Sequence, residues 1–348
     1  MVDIANPAVV RRASVNDATA KRPQAAATSR DGGVLAPLTA VAVREWRALA
    51  ERAIEPNGYY LPDWELAVNA SARGLTGASA LSASSDASAH DGAARLIGLM
   101  PAISMWRAYR IPLPALVTAQ PYGTLCTPLL DRDLADDAVA GLMQQARQAG
   151  AHALVLRDVS LDGAAVKAFN AALRQNGMQP RLLHSHDRAA LDARRDAGEL
   201  LREALGPKKL KELRRQRNRL AEHGAVRFEV SRTRDEVAAA LEIFLTLEAS
   251  GWKAARGTAL KQDDGDASFI RRAAVALAET GQCEIATLHA GDTPVAAAIV
   301  VRHELPDGRV YGTTSVSLVA LGARALRYDF QPVPADPTTW YPVDLQAP

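Results

Sequence analysis

The sequence predicts an α/β protein with mixed sheets, built from two halves of similar outline. After about residue 35, apolar runs of strand length alternate with segments of helical periodicity. Each half begins with helices and continues into a three-strand meander, and two glycine turns, Gly291-Asp292 and Asp307-Gly308, separate the last strands. The length agrees with this plan, because 348 residues suffice for two ordinary domains.

Composition excludes several classes of protein. The hydrophobic fraction is 48% and the charged fraction 23%, both normal for a soluble globular chain. The net charge is only +2, so no field of the whole protein favours nucleic acid, and we expect no DNA partner. The two cysteines, Cys126 and Cys283, form neither a disulfide framework nor a metal-ligand spacing. No apolar run reaches bilayer-spanning length, so we expect a cytoplasmic protein without a transmembrane segment.

The first half is predicted to be a disordered tail followed by helices and strands. Residues 1–34 carry few large apolar side chains and are predicted to be a disordered tail. Asp133 is expected to cap a helix, and the apolar run 152–159 is expected to be a central buried strand. The remaining predictions are helices at 41–54, after Pro62, at 133–149 and at 161–176, strands at 95–106, 111–118, 122–130 and 178–186, and a mobile Ser-, Ala- and Gly-rich loop at 71–94.

The second half is predicted in the same way. Its elements are helices at 199–222, 235–249 and 267–280, and strands at 226–230, 283–288, 295–302 and 309–315. After residue 316 the helix and strand patterns stop, and residues 317–348 are predicted to be an irregular segment.

Positive charge is concentrated in one predicted helix. Residues 208–219 contain seven Lys or Arg and one Glu. Helical spacing brings Lys208, Lys211 and Arg215 near one face, together with Asn218. This face could bind a phosphate-bearing cofactor or an anionic glycan or peptide acceptor. The alternative is an ordinary solvated basic helix.

The order of elements, strand, two helices, three-strand meander, helix, strand, helix, strand, resembles the GNAT acyltransferase fold. Two such folds in one chain resemble the Fem-type aminoacyl-transferases of cell-wall assembly and bacterial acetyltransferase-like proteins associated with cellulose and exopolysaccharide synthesis. The segment Leu247-Glu248-Ala249-Ser250-Gly251-Trp252-Lys253 and the meander at 281–301 carry the likeness. We therefore expect tandem GNAT-like folds, with an N-terminal domain at 35–195 and a C-terminal acetyltransferase-like domain at 196–316.

The resemblance implies acetyl-coenzyme A, or another acyl-coenzyme A, as co-substrate, and no metal. In GNAT folds the cofactor pyrophosphate is held by backbone N–H groups at the start of the helix after the fourth strand. The residues after Tyr311 do not carry a recognisable pattern for that helix. We hypothesise that the reading frame shifts or is truncated after about Tyr311, which leaves the second fold incomplete; sequencing the gene tests this.

Candidate site residues follow from the same segment. Glu248 could be the base that deprotonates an incoming amine or hydroxyl, or it could be an ordinary helix carboxylate. Trp252 and Lys253 could form the wall and the anion contact of an acceptor pocket, or a buried indole beside a surface ammonium. The resemblance makes Tyr311 a proton donor for the leaving thiolate; packing against the sheet is the alternative. His184 and His186 alternate on a predicted strand, and we interpret them as exposed strand-end residues.

The function expected from these observations is transfer of an acyl group, acetyl by preference, to an amine or hydroxyl. The acceptor would be a small molecule or a glycan, and a polysaccharide-synthesis complex is a candidate partner. One alternative is a Fem-like transferase that uses aminoacyl-tRNA, for which the basic helix would supply part of an RNA surface. Another is an inactive accessory or scaffold protein. The sequence contains no P-loop, GxGxxG, HExxH or GxSxG motif, which argues against nucleotide hydrolases, zincins and serine hydrolases.

Overall fold

The computed structural model describes residues 35–85, 94–187, 196–304, 310–314, 319–322, 325–330 and 341–343, with side chains described as far as Arg302. The predicted tail at 1–34 lies outside these residues.

The first half contains a mixed sheet flanked by helices. Its strands follow the order β1-β2-β3-β4-β6, with β5 paired to β3, and every pair is antiparallel except β4 with β6. Its elements are β1 (Ala36–Pro37), α1 (Val43–Glu51), α2 (Pro62–Ser71), β2 (Ser79–Ser84), β3 (Leu96–Ser104), α3 (Met105–Tyr109), β4 (Ala115–Thr118), β5 (Leu129–Leu130), α4 (Ala135–Gln148), β6 (Ala153–Val155) and α5 (Ala164–Gln175).

After α6 (Ala197–Ala221), the second half begins with the same order of helices and strands as the first half. Its antiparallel sheet runs β10-β9-β8-β7, so the predicted meander is confirmed. Its elements are α6 (Ala197–Ala221), β7 (Val226–Ser231), α7 (Arg234–Glu248), α8 (Trp252–Ala255), α9 (Asp264–Glu279), β8 (Cys283–Ala290), β9 (Thr293–Glu304) and β10 (Val310–Thr314). In each half a strand and two main helices precede three antiparallel strands. The mixed α/β class predicted from the sequence is confirmed and is consistent with a GNAT-like fold.

The predicted mobile loop at 71–94 is wrong over part of its length. Residues 79–84 form β2, whose small side chains pack closely against α4. A Cβ at Gly141 would overlap the side chain of Ala83. Ala and Ser are therefore used here for close helix–sheet packing, whereas composition alone indicated a loop. Residues 86–93 of the predicted loop lie outside the described residues.

The predictions for the end of the first half also need correction. The run 152–159 contributes only β6, at the edge of the sheet and partly exposed, and not a central buried strand. The predicted strand at 178–186 is irregular and mostly exposed. The predicted strand at 122–130 is reduced to the two residues of β5.

Two helix starts differ from the predictions. The residue that caps α4 is Leu134 and not Asp133, whose own N–H donates to Asp131 Oδ1 at 3.0 Å. The predicted strand at 95–106 ends at Ser104, because the Ser104 hydroxyl accepts a hydrogen bond from Arg107 N and starts α3.

Residues 317–348 were predicted to be irregular, but their described part contains strands. These are β11 (Val319–Gly322), β12 (Ala325–Phe330) and β13 (Tyr341–Val343), which pair antiparallel in that order. In the described residues after Thr314, no helix is present.

One apolar core crosses the predicted domain boundary at 195–196. It joins Trp64 and Leu99 of the first half with Leu241 and Phe269 of the second half. The Trp64 and Phe269 rings meet edge to face with centroids 5.1 Å apart. Helices α2 and α9 form the centre of this contact, which places the first half directly beside the helices of the second.

Candidate functional site

The candidate site is organised by the end of helix α7. A capping box fixes the start of this helix, in which the Thr233 hydroxyl accepts from Glu236 N and the Glu236 carboxylate accepts from Thr233 N. Val237, Leu241 and Leu245 form the buried face of the helix. Glu248 is the last helical residue and follows Leu245 by three positions, so its side chain turns toward the interior, where it is only 7% exposed.

Both carboxylate oxygens of Glu248 accept hydrogen bonds. Lys253 Nζ donates to Oε1 at 2.7 Å, and Leu260 N donates to Oε2 at 2.9 Å. Removing such a carboxylate would leave a buried donor without its partner, which is costly. Glu248 therefore holds the loop that follows it in place.

The loop after α7 is ordered around Lys253. Thr258 N donates to the Lys253 carbonyl at 2.9 Å, and Gln262 Nε2 donates to the Ala254 carbonyl at 2.9 Å. Gly257 supplies the left-handed turn, with φ at +68°. The Arg256 guanidinium lies 5.0 Å from the Trp252 ring centroid, within cation–π range. The loop thus pairs the Lys253 ammonium with the buried Glu248 carboxylate, and it packs the half-buried Trp252 indole against Arg256.

Tyr122 of the first half faces the same region. Its φ of +55° is uncommon for a bulky residue and is of the kind found at functional or tightly constrained positions. Its ring centroid lies 5.0 Å from that of Phe269, and its hydroxyl donates to Asp266 Oδ2 at 3.2 Å. Burial raises the Tyr122 pKa, and the negative charges of Asp266 and Glu248 add to this effect.

Asp266 connects the two halves at this point. It lies in the first turn of α9 and is buried. Its Oδ1 accepts from Arg73 N of the first half at 2.8 Å, and the Arg73 guanidinium lies 3.9 Å from Oδ2. The surroundings of Glu248 are consequently built from both halves of the chain.

The basic cluster lies on a different element. Lys208, Lys211 and Arg215 are exposed on α6, and Arg215 forms an ion pair with Glu212 at 2.9 Å. Helix α6 has no buried residue and packs against β7. The structure therefore joins Glu248 and Lys253 directly and places the cations of α6 on a separate surface helix.

The second half, with its order of β7, α7, α9 and β8 to β10, is also recognised by comparison with known families. Residues 207–313 match the family model of the acetyltransferase (GNAT) domain. The match begins within α6 and ends within β10, and it supports assignment of this segment to the GNAT superfamily. No curated protein matches the chain.

In the GNAT segment, Tyr311 lies on β10, where its backbone is paired with that of His303; its side chain lies outside the described part. The expected cofactor-holding helix is missing from the described residues after β10, which form strands instead. The corresponding helix of the first half, α4, has Asp136 and Asp137 in its first turn, and these charges oppose an anion there.

The described residues contain neither a candidate metal site nor a candidate membrane span. Among the described residues, no group of three or more His, Cys, Asp or Glu side chains could hold a metal ion. His184 and His186 have ring centroids 6.0 Å apart, but they lie on irregular backbone. No helix in the described part of the chain is long and apolar enough to cross a membrane.

Sequence reasoning about the GNAT segment missed Tyr122 and Asp266. An acidic residue in the first turn of a helix is favourable, so Asp266 fits the start of a helix. The sequence does not indicate that Arg73 and Tyr122 are its partners. Tyr122 precedes Gly123 in a segment predicted to be a strand, and a pattern of apolar residues carries no information about its positive φ.

Proposed function

We propose that this chain is an acyltransferase that moves an acetyl group from acetyl-coenzyme A to an amine or hydroxyl of a glycan or small-molecule acceptor in the cytoplasm. The observation that carries the proposal is the match of residues 207–313 to the GNAT acetyltransferase domain. The folded unit from β7 to β10, with the buried Glu248 carboxylate held by Lys253, supports it.

The proposed reaction is direct attack on the thioester. The acceptor nitrogen or oxygen bonds to the carbonyl carbon, the carbon–sulfur bond breaks, and the thiolate leaves. Glu248 takes the proton of the acceptor on Oε1, the oxygen now bound by Lys253, so Lys253 must turn away first. Tyr311 returns a proton to the thiolate, and Trp252 forms a wall of the acceptor pocket.

The basic helix α6 takes part only in binding and not in the chemical step. Lys208, Lys211 and Arg215 contribute an anion contact outside the reacting groups, and their exposure on α6 supports this. An acceptor related to polysaccharide synthesis is proposed from the sequence resemblance.

Glu248→Gln tests the proposed base. The amide keeps the shape of the side chain but cannot accept a proton, so we expect kcat to fall about 10²- to 10⁴-fold. Release of free coenzyme A is measured with a panel of amine and hydroxyl acceptors, and coenzyme A binding is measured by calorimetry. The matched control is Glu242→Gln on the same helix, where the carboxylate pairs with Arg271.

Two outcomes distinguish a wrong assignment of Glu248 from a wrong assignment of the acyltransferase activity. Equal rates for the two variants would show that Glu248 is not the base. A folded wild-type chain that neither binds acetyl-coenzyme A nor releases coenzyme A with any acceptor would overturn the proposed function itself.

A second candidate is a non-catalytic accessory protein. It is favoured by the strands β11 to β13, which occupy the described chain where a cofactor-holding helix is expected. This candidate predicts no heat of binding for acetyl-coenzyme A with a sample whose circular dichroism shows it to be folded.

A further inference from the structure

The basic helix α6 has a half-buried stripe and an exposed cationic stripe. Leu213, Gln216 and Leu220 are half-buried and lie on one side at helical spacing. Lys208, Lys211, Arg215 and Arg219 are exposed and lie along another stripe, about 130° round the helix, and they define the basic face of α6. Exposed Arg214 and Arg217 lie outside both stripes, so α6 presents cations to solvent on more than one side.

The charge of the basic face is largely unneutralised. Within the described part of the chain, Lys208, Lys211 and Arg219 make no ion pair, whereas Arg215 pairs with Glu212. Residues 208–219 carry a large positive excess on a chain whose net charge is only +2, so the remaining residues together are negative. The basic face is therefore where the chain attracts anions.

The shape of the basic face decides which anion fits. The four cations form a convex row about 16 Å long at 1.5 Å rise per residue. A cofactor pyrophosphate is usually held by backbone N–H groups at a helix start, and not by a row of side chains along a helix. Single-stranded nucleic acid is usually bound with aromatic side chains for base stacking, and α6 contains none.

We propose that the basic face of α6 docks on an anionic lipid surface. Clusters of four to eight Lys or Arg beside a membrane have the charge that anionic lipids attract. Because the leucines of this segment, Leu210, Leu213 and Leu220, are half-buried, the contact is electrostatic and peripheral, without insertion of the helix. This lipid contact lies outside the transfer reaction. It does not depend on that reaction, because vesicle binding is measured without turnover.

Vesicle co-sedimentation of the full chain tests this. Vesicles of phosphatidylcholine alone are compared with vesicles that also contain phosphatidylglycerol, at low and high salt. We expect binding to the mixed vesicles only, weakened by salt. The triple variant Lys208→Glu, Lys211→Glu, Arg219→Glu should bind at least about a hundredfold more weakly, because each cation near such a surface strengthens binding about fivefold.

A control of equal charge change uses exposed cations on other helices: Arg147→Glu, Lys167→Glu and Arg174→Glu. This variant should retain vesicle binding within a few-fold of the wild type. Equal loss in both variants, or no binding of mixed vesicles by the wild type, overturns the proposal.

Two further measurements show whether the basic face of α6 binds a different anion. Binding of a single-stranded RNA by the wild type, without binding of vesicles, would make the face an RNA surface and the proposal wrong. Loss of coenzyme A binding in the Lys208, Lys211, Arg219 variant, with vesicle binding unchanged, would assign the face to the cofactor. Failure of acyl transfer alone leaves vesicle binding in place, so the two proposals fail separately.

Discussion

Glu65 is a carboxylic acid in the core of the first half. Its side chain on α2 belongs to a residue that is only 1% exposed, and its Oε2 makes no hydrogen bond to any described residue. Tyr60 and Cys126 lie close enough for its charge to act on their pKa values. Burial raises the pKa of Glu65 well above its usual value, because the charged form is poorly solvated there.

Glu65→Gln is expected to change the pH dependence of stability. The folded protein keeps the Glu65 proton above about pH 4.3, where the unfolded chain has released it, so the free energy of unfolding falls as pH rises toward the folded pKa. A single group contributes a slope of up to about 1.4 kcal/mol per pH unit. Relative to the wild type, the variant should gain stability from pH 5 to pH 8.

The measurement is urea unfolding at several pH values. The pKa of Asp63 is also raised by burial, so the difference between variant and wild type is compared, and not the profile of the wild type alone. Glu45→Gln, which changes an exposed carboxylate on α1, serves as the control. Parallel profiles for wild type and Glu65→Gln would contradict the expectation.

The candidate site was only partly predictable from its residues. Glu248 and Lys253 are five positions apart, and a local segment of sequence suffices to place them near each other. The N–H of Leu260 is also close along the chain, but a backbone donor leaves no mark in a residue pattern. Tyr122 comes from the other half, and its position depends on tertiary packing.

At the scale of elements, helices α2 and α9 approach through their backbones. A Cβ at Gly265 would overlap the carbonyl oxygen of Ser71. Small residues on α9, such as Ala273 and Ala274, are fully buried in the same core. The two helices therefore depend on the missing side chain of Gly265 for their close packing.

Gly265→Ala should separate this helix pair. We expect a loss of about 1–3 kcal/mol in the free energy of unfolding, because backbone atoms cannot rotate away as a flexible side chain can. Chemical denaturation measures the loss. Gly198→Ala on α6, where an added Cβ would meet only the flexible Asp196 and Arg202 side chains, is the control and should change stability little. Equal stabilities would mean that the helices shift without cost.

Elements with strong periodicity were predicted well, and elements defined by tertiary contacts were not. Helices α7 and α9 have apolar stripes that remain visible in the sequence, as do the strands of the second meander. Strand β2 is made of Ser, Ala and Leu, and its burial against α4 comes from the fold. The run 178–186 was predicted to be a strand, but it contains Pro180 and mostly polar residues, and in the structure it pairs with no strand of the described part.

At the scale of the whole molecule, both halves contribute side chains to the core around Phe269. The Phe269 ring contacts Trp64 and Tyr122, both from the first half, at centroid distances of 5.1 and 5.0 Å. The GNAT segment therefore does not bury its own core alone. The stability of each half should depend on the other.

Phe269→Ala should weaken both halves together. We expect a loss of about 3–5 kcal/mol, typical for removal of a buried aromatic ring. Hydrogen exchange should show equal losses of protection in α2 and α9. Phe228→Ala, at a residue that is 69% exposed, is the control and should have little effect. Loss of protection in α9 alone would show that the halves are energetically separate.

The hydrogen bond from Arg73 to Asp266 joins residues 193 positions apart. At a synthesis rate of about 5–20 residues per second, roughly 10–40 s pass on the ribosome between the two. During that interval the apolar side of α2 has no α9 to cover it. The nascent first half therefore keeps part of its core exposed until the second half emerges to complete it.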